Sequence, residues 1–394
     1  MAEPLRVFLV AGEPSGDQLG ASLIRALRKG HPGEVIVEGV GAEAMAREGL
    51  RSIFPLTDIT AMGVIQVVRK LPLILRRASD VVAAAVAARP DVLVIIDSPD
   101  FTHPVARRIA RRMPDLPIVN YVSPTVWAWR PGRAAKMRRY VAHVLALKPF
   151  EPAAHLRLGG PPCTYIGHPL IERLDDLAPA AGERSPLSEG PLRLVVLPGS
   201  RRGEISRLMA PFGETLRRVV AGSEREIEVT LPAVPHLSAE IRRAAEGWPV
   251  KPRIVEGEAA KYEAFRRSHV ALAASGTVTL ELALAGVPMV VAYQVSRAEG
   301  LLKFLITTST IVLANLVVGE NVVPEFTQED CIPEKLAAAV MPLLDDTPER
   351  RRQAEAFARL PEILEADAPT TPSERAAAIV LRVVAEWRAG TRLG

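Results

Sequence analysis

The sequence predicts an α/β protein built from two Rossmann-like domains. Apolar strand runs alternate with helical patterns along most of the chain, the alternation comes in two series, and an aperiodic stretch separates them. The strands Val92–Ile96 and Leu192–Leu197 are apolar nearly throughout, as expected for parallel strands covered on both faces.

In the first series, Leu5–Ala11 is a strand followed by a helical run to Lys29, which Gly30 closes. Val35–Val37, Val92–Ile96, Ile118–Val122 and His143–Leu147 are the further strands, with a helix over Ala42–Glu48 and a basic one over Gly132–Tyr140. Residues 178–191, rich in Ala, Gly, Pro, Ser and charge, form a linker. The second series runs from Leu192–Leu197 through helix Ser206–Val220, strand Val270–Ala274 and helix Thr277–Ala285 to Met289–Tyr293. Domain boundaries of 1–177 and 192–365 follow, with the terminal helix 373–394 expected to rejoin the first domain.

The 394 residues include two cysteines, Cys163 and Cys331, far apart and without metal-ligand neighbours. No disulfide scaffold or zinc site is expected, and a reducing cytoplasm suits them. The N-terminus enters a strand directly, so no signal peptide is expected. Residues 1–177 carry 23 Lys/Arg against 17 Asp/Glu, whereas the remainder is slightly acidic. A basic first half suits a phosphorylated substrate or an acidic membrane surface. With aromatics at 5% and no ribonucleoprotein motif, nucleic acid is not an expected partner.

Chemistry is expected where strands end. Leu192–Leu197 breaks into Pro198-Gly199-Ser200-Arg201-Arg202-Gly203-Glu204, and a turn offering backbone N–H groups, a hydroxyl and a guanidinium is an anion receptor. The alternative is an ordinary strand-to-helix turn with surface arginines. Ser275-Gly276-Thr277 forms a second such turn, with Glu281 one helical turn on, able to accept both hydroxyls of a ribose. Asn315, in the apolar segment Leu301–Gly319, is a further candidate ligand contact. Glu13, Ser15 and Asp17 follow the first strand and suit sugar hydroxyls, although Ser15 or Asp17 could simply cap the helix. There is no Gly-x-Gly-x-x-Gly, which disfavours a dinucleotide.

Asp97, one residue past Val92–Ile96, is the better candidate base, and Asp100 suits a helix cap. Trp127 and Trp129 follow Ile118–Val122 and could line a ligand cleft or a core. His168 reads more readily as structural than catalytic. Met62–Arg77 is apolar with four basic residues, so it fits either a core helix or a membrane-surface helix. Met62, Val64, Ile65, Val68, Arg69 and Lys70 are its candidate lipid contacts. It is too short, too charged and too broken by Pro72 to span a bilayer.

The runs Ala11-Gly12-Glu13-Pro14-Ser15-Gly16-Asp17, Ile96-Asp97-Ser98-Pro99-Asp100-Phe101, Tyr121-Val122-Ser123-Pro124-Thr125-Val126-Trp127-Ala128-Trp129, Ile166-Gly167-His168-Pro169, Leu197-Pro198-Gly199-Ser200-Arg201 and Ala274-Ser275-Gly276-Thr277 occur in order. With them, the chain resembles the lipid-A-disaccharide synthases from about Val7 to its last helix. The resemblance implies a GT-B glycosyltransferase fold and an inverting transfer from UDP-2,3-diacylglucosamine to 2,3-diacylglucosamine 1-phosphate, giving the β-1,6-linked disaccharide 1-phosphate and UDP. It also implies no metal or other cofactor, a place at the cytoplasmic face of the inner membrane, acylated glucosamine lipids as substrates, and a homodimer. Pro14 and Ser98 stand where an alanine is common in the family.

Inversion needs a base, for which Asp97 leads and Asp100 is second. No Asp-x-Asp lies on a strand end to hold a metal. Arg201, the Gly199–Ser200 backbone and the Ser275–Thr277 helix start would then meet the charge of departing UDP. Competing readings are another GT-B enzyme such as a UDP-GlcNAc 2-epimerase, a nicotinamide oxidoreductase, and a non-catalytic lipid- or nucleotide-binding protein.

Overall fold

The computed structural model describes residues 3–60, 64–295, 310–365 and 370–390, with side chains for all of these except 64–68. The chain divides into two units, residues 1–169 with 365–394, and residues 170–364.

The first unit is a six-stranded parallel sheet: β1 Leu5–Ala11, β2 Val35–Val40, β3 Val92–Ile96, β4 Ile118–Tyr121, β5 His143–Ala146 and β6 Cys163–Tyr165, in the order β2-β1-β3-β4-β5-β6. Strand β3 is buried at every residue because helices cover both faces. The order reverses between β1 and β3, where Ala11 pairs with Ile96. Crossovers on either side of such a reversal leave the sheet in opposite directions, so the loops after β1 and β3 diverge and open a crevice.

Helix Pro14–Gly30 lies on this sheet with Leu23, Ile24 and Leu27 buried, and helix Pro372–Arg388 packs against it through Ala376, Val380 and Val383. The latter begins with a capping box between Thr371 and Glu374, and Arg375 donates to the Ile166 carbonyl at 2.7 Å. Gly30 remains helical, the cap being His31 in extended conformation, so it does not play the left-handed terminator expected of it.

The second unit is also a six-stranded parallel sheet: β7 Leu192–Leu197, β8 Ile227–Ala233, β9 Arg253–Glu256, β10 Val270–Ala274, β11 Met289–Tyr293 and β12 Glu325–Thr327. Its order is β12-β11-β10-β7-β8-β9, with the reversal between β7 and β10. The short edge strands β6 and β12 are absent from the sequence reading, since three residues carry no periodicity.

Two expectations are corrected. The division falls before Leu170 and not at 177, because Leu170 and Leu177 belong to the second unit's core. Residues 178–191 are also no free linker. Arg184 donates to the carbonyls of Phe265, Arg266, Ala285 and Gly286 at 2.6–3.1 Å, binding the segment to two helix ends, where carbonyls run short of intrahelical donors. Burial, aided by Arg350, pulls the Arg184 pKa down to about 10. Helix Val64–Ala88 runs through Pro72, itself exposed, without breaking.

Two outcomes follow from this packing. Arg184→Met, which strands the carbonyls of Arg266, Ala285 and Gly286, should destabilise the protein by about 2–4 kcal/mol, read from the urea midpoint. His103, His143 and His168 are buried, and burial lowers their pKa values to about 3, 4 and 3. Below pH ~6.5 the unfolded chain takes up protons that the folded chain declines, so stability is complete above that pH and falls as pH drops toward 4. The expected loss is about 1.4 kcal/mol per pH unit per histidine in that window, and a flat denaturation midpoint between pH 7 and 5 would contradict it.

Candidate functional site

At the β1/β3 reversal, the close pairing of the strands brings Gly12 against Ser98. A Cβ on Gly12 would lie 2.1 Å from the Ser98 Cβ, so only glycine fits. Asp97 and Ser98 have φ of +53° and +43°, and Val122 after β4 has +73°. Three neighbouring strand-end residues in a region that side chains disfavour are a concentration of strain of the kind that marks functional loops. This backbone brings the Asp97 Oδ1 to accept from the Ser98 N–H at 2.8 Å. Among the described residues no donor meets the other oxygen.

Asp100 is different. Its carboxylate is 80% exposed, accepts from the Arg133 guanidinium at 2.6 Å and lies 3.7 Å from Arg130. Asp100 thus faces two guanidiniums, whereas Asp97 has no ion-pair partner among the described residues. Glu13 and Ser15 are exposed beside β1. Asp17, expected to meet sugar hydroxyls or cap its own helix, is engaged by the backbone. It is 3% exposed and accepts from the N–H groups of Ala42, Ala44 and Met45, so it caps helix Glu43–Arg47 and not its own helix.

The loop after β4 is held from below by Glu151, a side chain missed in the sequence because it reads as an ordinary first-turn acid. It is fully buried and accepts from the Trp127 indole N–H at 3.2 Å, the N–H groups of Leu147 and Lys148, and the Lys148 ammonium. Trp127 also meets Phe150 edge-on at 5.1 Å. Ser123 and His155 form a 2.9 Å pair beside it. Both are buried, so the pair secures the loop and offers no nucleophile.

In the second unit the two turns singled out in the sequence fall on the adjacent strands β7 and β10 at the reversal, where Leu197 pairs with Ala273. Their occupancy differs from expectation. The Glu204 carboxylate accepts from the Ser200 and Arg201 N–H groups at 3.0 and 3.2 Å, so those donors are already used. Gly199, at φ +112°, makes room for it, as a Cβ there would lie 2.5 Å from Glu204. What remains outward is the Arg201 guanidinium, 59% exposed and 3.6 Å from Glu204. The Ser275 hydroxyl donates to the Ile311 carbonyl at 2.7 Å, leaving Gly276 and Thr277 exposed. Glu281 is paired with Lys261 at 2.8 and 3.0 Å.

Asn315 is turned into the fold, not outward as expected of a ligand contact. It is 1% exposed, its amide N–H donates to the Val323 carbonyl, and its carbonyl accepts from Val322 and Val323 N–H. His168 is likewise buried.

Of the expected lipid contacts, Met62 and the side chains of Val64, Ile65 and Val68 lie outside the described residues. Arg69 is exposed. Lys70 is turned inward, donating to the Thr57 and Thr60 carbonyls at 2.7 and 3.0 Å, and Arg77 pairs with Asp58 and Asp80. The same helix presents Leu71 and Leu75, 45% and 48% exposed, beside exposed Arg76. Farther along, Val86 and Arg108, Arg111 and Arg112 line a cavity of about 790 Å³.

A family model described as lipid-A-disaccharide synthetase matches residues 7–379. Lipid-A-disaccharide synthase of Nitrobacter hamburgensis is 57% identical over 380 residues, 96% of either chain. That of Rhodopseudomonas palustris strain HaA2 is 55% identical over the same shares. Among solved structures, UDP-GlcNAc 2-epimerase from Neisseria meningitidis bound to UDP-GlcNAc superposes with a TM-score of 0.62 at 12% identity, over 97% of this chain and 100% of that one. The calicheamicin glycosyltransferase CalG4 gives 0.57 at 15%, over 98% and 99%. At such identities the likeness establishes the fold, GT-B, with its two Rossmann-like domains.

Proposed function

The chain belongs to the lipid-A-disaccharide synthase family, and on that premise we propose how its residues divide the work. The activity is a glycosyl transfer that makes the lipid A disaccharide. UDP-2,3-diacylglucosamine is the donor, 2,3-diacylglucosamine 1-phosphate is the acceptor, and configuration at the donor C1 is inverted. Asp97 takes the proton of the acceptor 6-hydroxyl as that oxygen forms its bond to C1. The C1–phosphate oxygen bond breaks on the opposite face, and its electron pair leaves with UDP. The constrained backbone at Asp97 and Ser98 supports this, because it fixes the carboxylate before substrate arrives.

The observation that carries the donor assignment is the pairing of β7 with β10, which sets the Gly199–Arg201 and Ser275–Thr277 turns side by side at the sheet reversal. Arg201 meets the charge gathering on the diphosphate, and the exposed Gly276–Thr277 backbone faces the same anion. The Glu281–Lys261 pair offers an acceptor and a donor to the ribose hydroxyls. With Ser200 and Arg201 N–H groups engaged by Glu204, the guanidinium carries more of the burden than the turn backbone. This reading requires no metal.

Among the described residues no helix is long and apolar enough to cross a membrane. The acylated substrates call for another route to the bilayer. The exposed Arg69, Leu71, Leu75 and Arg76 support a reversible dock on the cytoplasmic face of the inner membrane. The homodimer implied by the family belongs to the same proposal, and sedimentation of the purified protein tests it.

Product analysis with the two lipid substrates tests the reaction, the expected product being the disaccharide 1-phosphate with one UDP released. Asp97→Ala and Arg201→Ala should each lower turnover by about 10²–10³ while remaining folded, and near-normal turnover by Asp97→Ala would remove it from the base role. Arg69→Glu with Arg76→Glu should weaken binding to anionic phospholipid vesicles by at least about tenfold. Unchanged flotation with vesicles would sink the docking assignment.

A further inference from the structure

A basic cavity in the first unit has no part in the roles assigned so far. Its volume is about 390 Å³, and it opens at Pro99 and Asp100, at the start of helix Pro99–Arg112, directly after the base candidate Asp97. Four cations line it, Arg107, Arg130, Arg133 and Lys136, against the single carboxylate of Asp100. Among the described residues Arg107 and Lys136 have no ion-pair partner. Arg133 is only 19% exposed, so its guanidinium is held by the protein, whereas the Asp100 carboxylate resting on it is 80% exposed. An exposed ion pair of that kind is weak. The acid therefore occupies, at little gain, the position where a bound anion would meet the largely buried Arg133 guanidinium and the exposed one of Arg130.

The cavity wall is neutral. His103 is 4% exposed, its Nδ1 lies 3.1 Å from the Tyr140 hydroxyl, and its Nε2 is buried without a partner. Burial, with Arg133 and Arg107 nearby, keeps its pKa at about 3, so the charge at the mouth is set by the arginines and Lys136 alone. An excess of cations favours a phosphate monoester, which carries close to two negative charges near neutral pH, over the single charge of a phosphodiester. The acceptor has such a monoester at its C1, which only the ring oxygen separates from C5, the carbon that bears the 6-hydroxymethyl group the base must reach.

We propose that this cavity binds the 1-phosphate of the acceptor, with Arg107, Arg130 and Arg133 as its ligands, Lys136 at the rim, and Asp100 displaced as the phosphate enters. The assignment rests on the acceptor reading given under Proposed function. It makes this cluster the element that distinguishes a phosphorylated acceptor from the same lipid without phosphate.

The test compares the full-length protein with Arg107→Gln, Lys136→Gln and Arg133→Gln, using 2,3-diacylglucosamine with and without the 1-phosphate. The first two replacements are at exposed positions and keep the test valid if Arg133→Gln folds poorly. Arg107→Gln and Arg133→Gln should raise KM for the phosphorylated acceptor about tenfold or more, with a smaller rise for Lys136→Gln. The donor KM and kcat/KM for the phosphate-free lipid should not move. Equal losses with both acceptors, or an unchanged KM, would overturn the assignment. Flotation with phosphatidylglycerol vesicles should be unaffected by Arg107→Gln and Lys136→Gln. Loss of flotation with acceptor preference intact would assign the cavity to bilayer phosphate instead. Wild-type protein that forms no disaccharide would refute the reaction and not the cavity. Calorimetric binding of the two acceptors without donor then decides the cavity by itself, a lack of preference for the phosphorylated lipid counting against it.

Discussion

A parallel sheet whose crossovers leave in both directions has one pair of neighbouring strands whose following loops part, and each unit has such a pair. In the first unit it is β1 and β3, in the second β7 and β10. Four of the six motif-bearing segments, those after β1, β3, β7 and β10, sit at these two places, where neighbouring loop backbones part and are left uncovered. The constraint has a local cost. Asp97, Ser98 and Val122 occupy left-handed backbone that disfavours each by about 1–3 kcal/mol, and Gly12 has no side chain because Ser98 takes the space. The buried strands behind them supply the stability that holds this geometry.

A second theme is the use of acids and amides to hold loops. Asp17, Glu151, Glu204 and Asn315 all gather backbone N–H groups that no helix or sheet satisfies. Each is largely buried, and a buried carboxylate is tolerated when several donors converge on it. Glu204 is the most consequential, since it fills from inside the anion receptor that its own turn would otherwise present. The exposed guanidinium of Arg201 is thereby separated in function from the backbone that carries it.

Most of the fold was legible because its signals are long: apolar runs such as Val92–Ile96 and Val270–Ala274 cannot be much other than buried parallel strands. The places of Asp97 and Arg201 in the fold were legible, one at the end of a central strand and the other in a glycine turn. The misreadings share one physical origin. Asp17, Asn315 and Lys70 are residue types that bind ligands, and what tells a ligand contact from a loop clamp is the direction of the side chain, fixed by tertiary packing and not by spacing. Arg184 was missed for the converse reason, since its partners are backbone groups far along the chain, and Glu151 because burial turns what reads as a first-turn acid inward. The basic helix near Gly132 was visible as charge, but its convergence with Arg107 on one cavity depends on tertiary packing between segments some 25 residues apart.

Helix Pro372–Arg388 adds Ala376, Val380, Val383 and Val384 to the core over which Leu23, Ile24 and Leu27 close. The ribosome therefore releases the whole of residues 170–364 before the first unit can bury that surface. An N-terminal domain ordinarily folds first during synthesis. Here it must wait with an apolar helix face uncovered, and a chain that stops short of residue 372 is left with that face for a chaperone or protease to find.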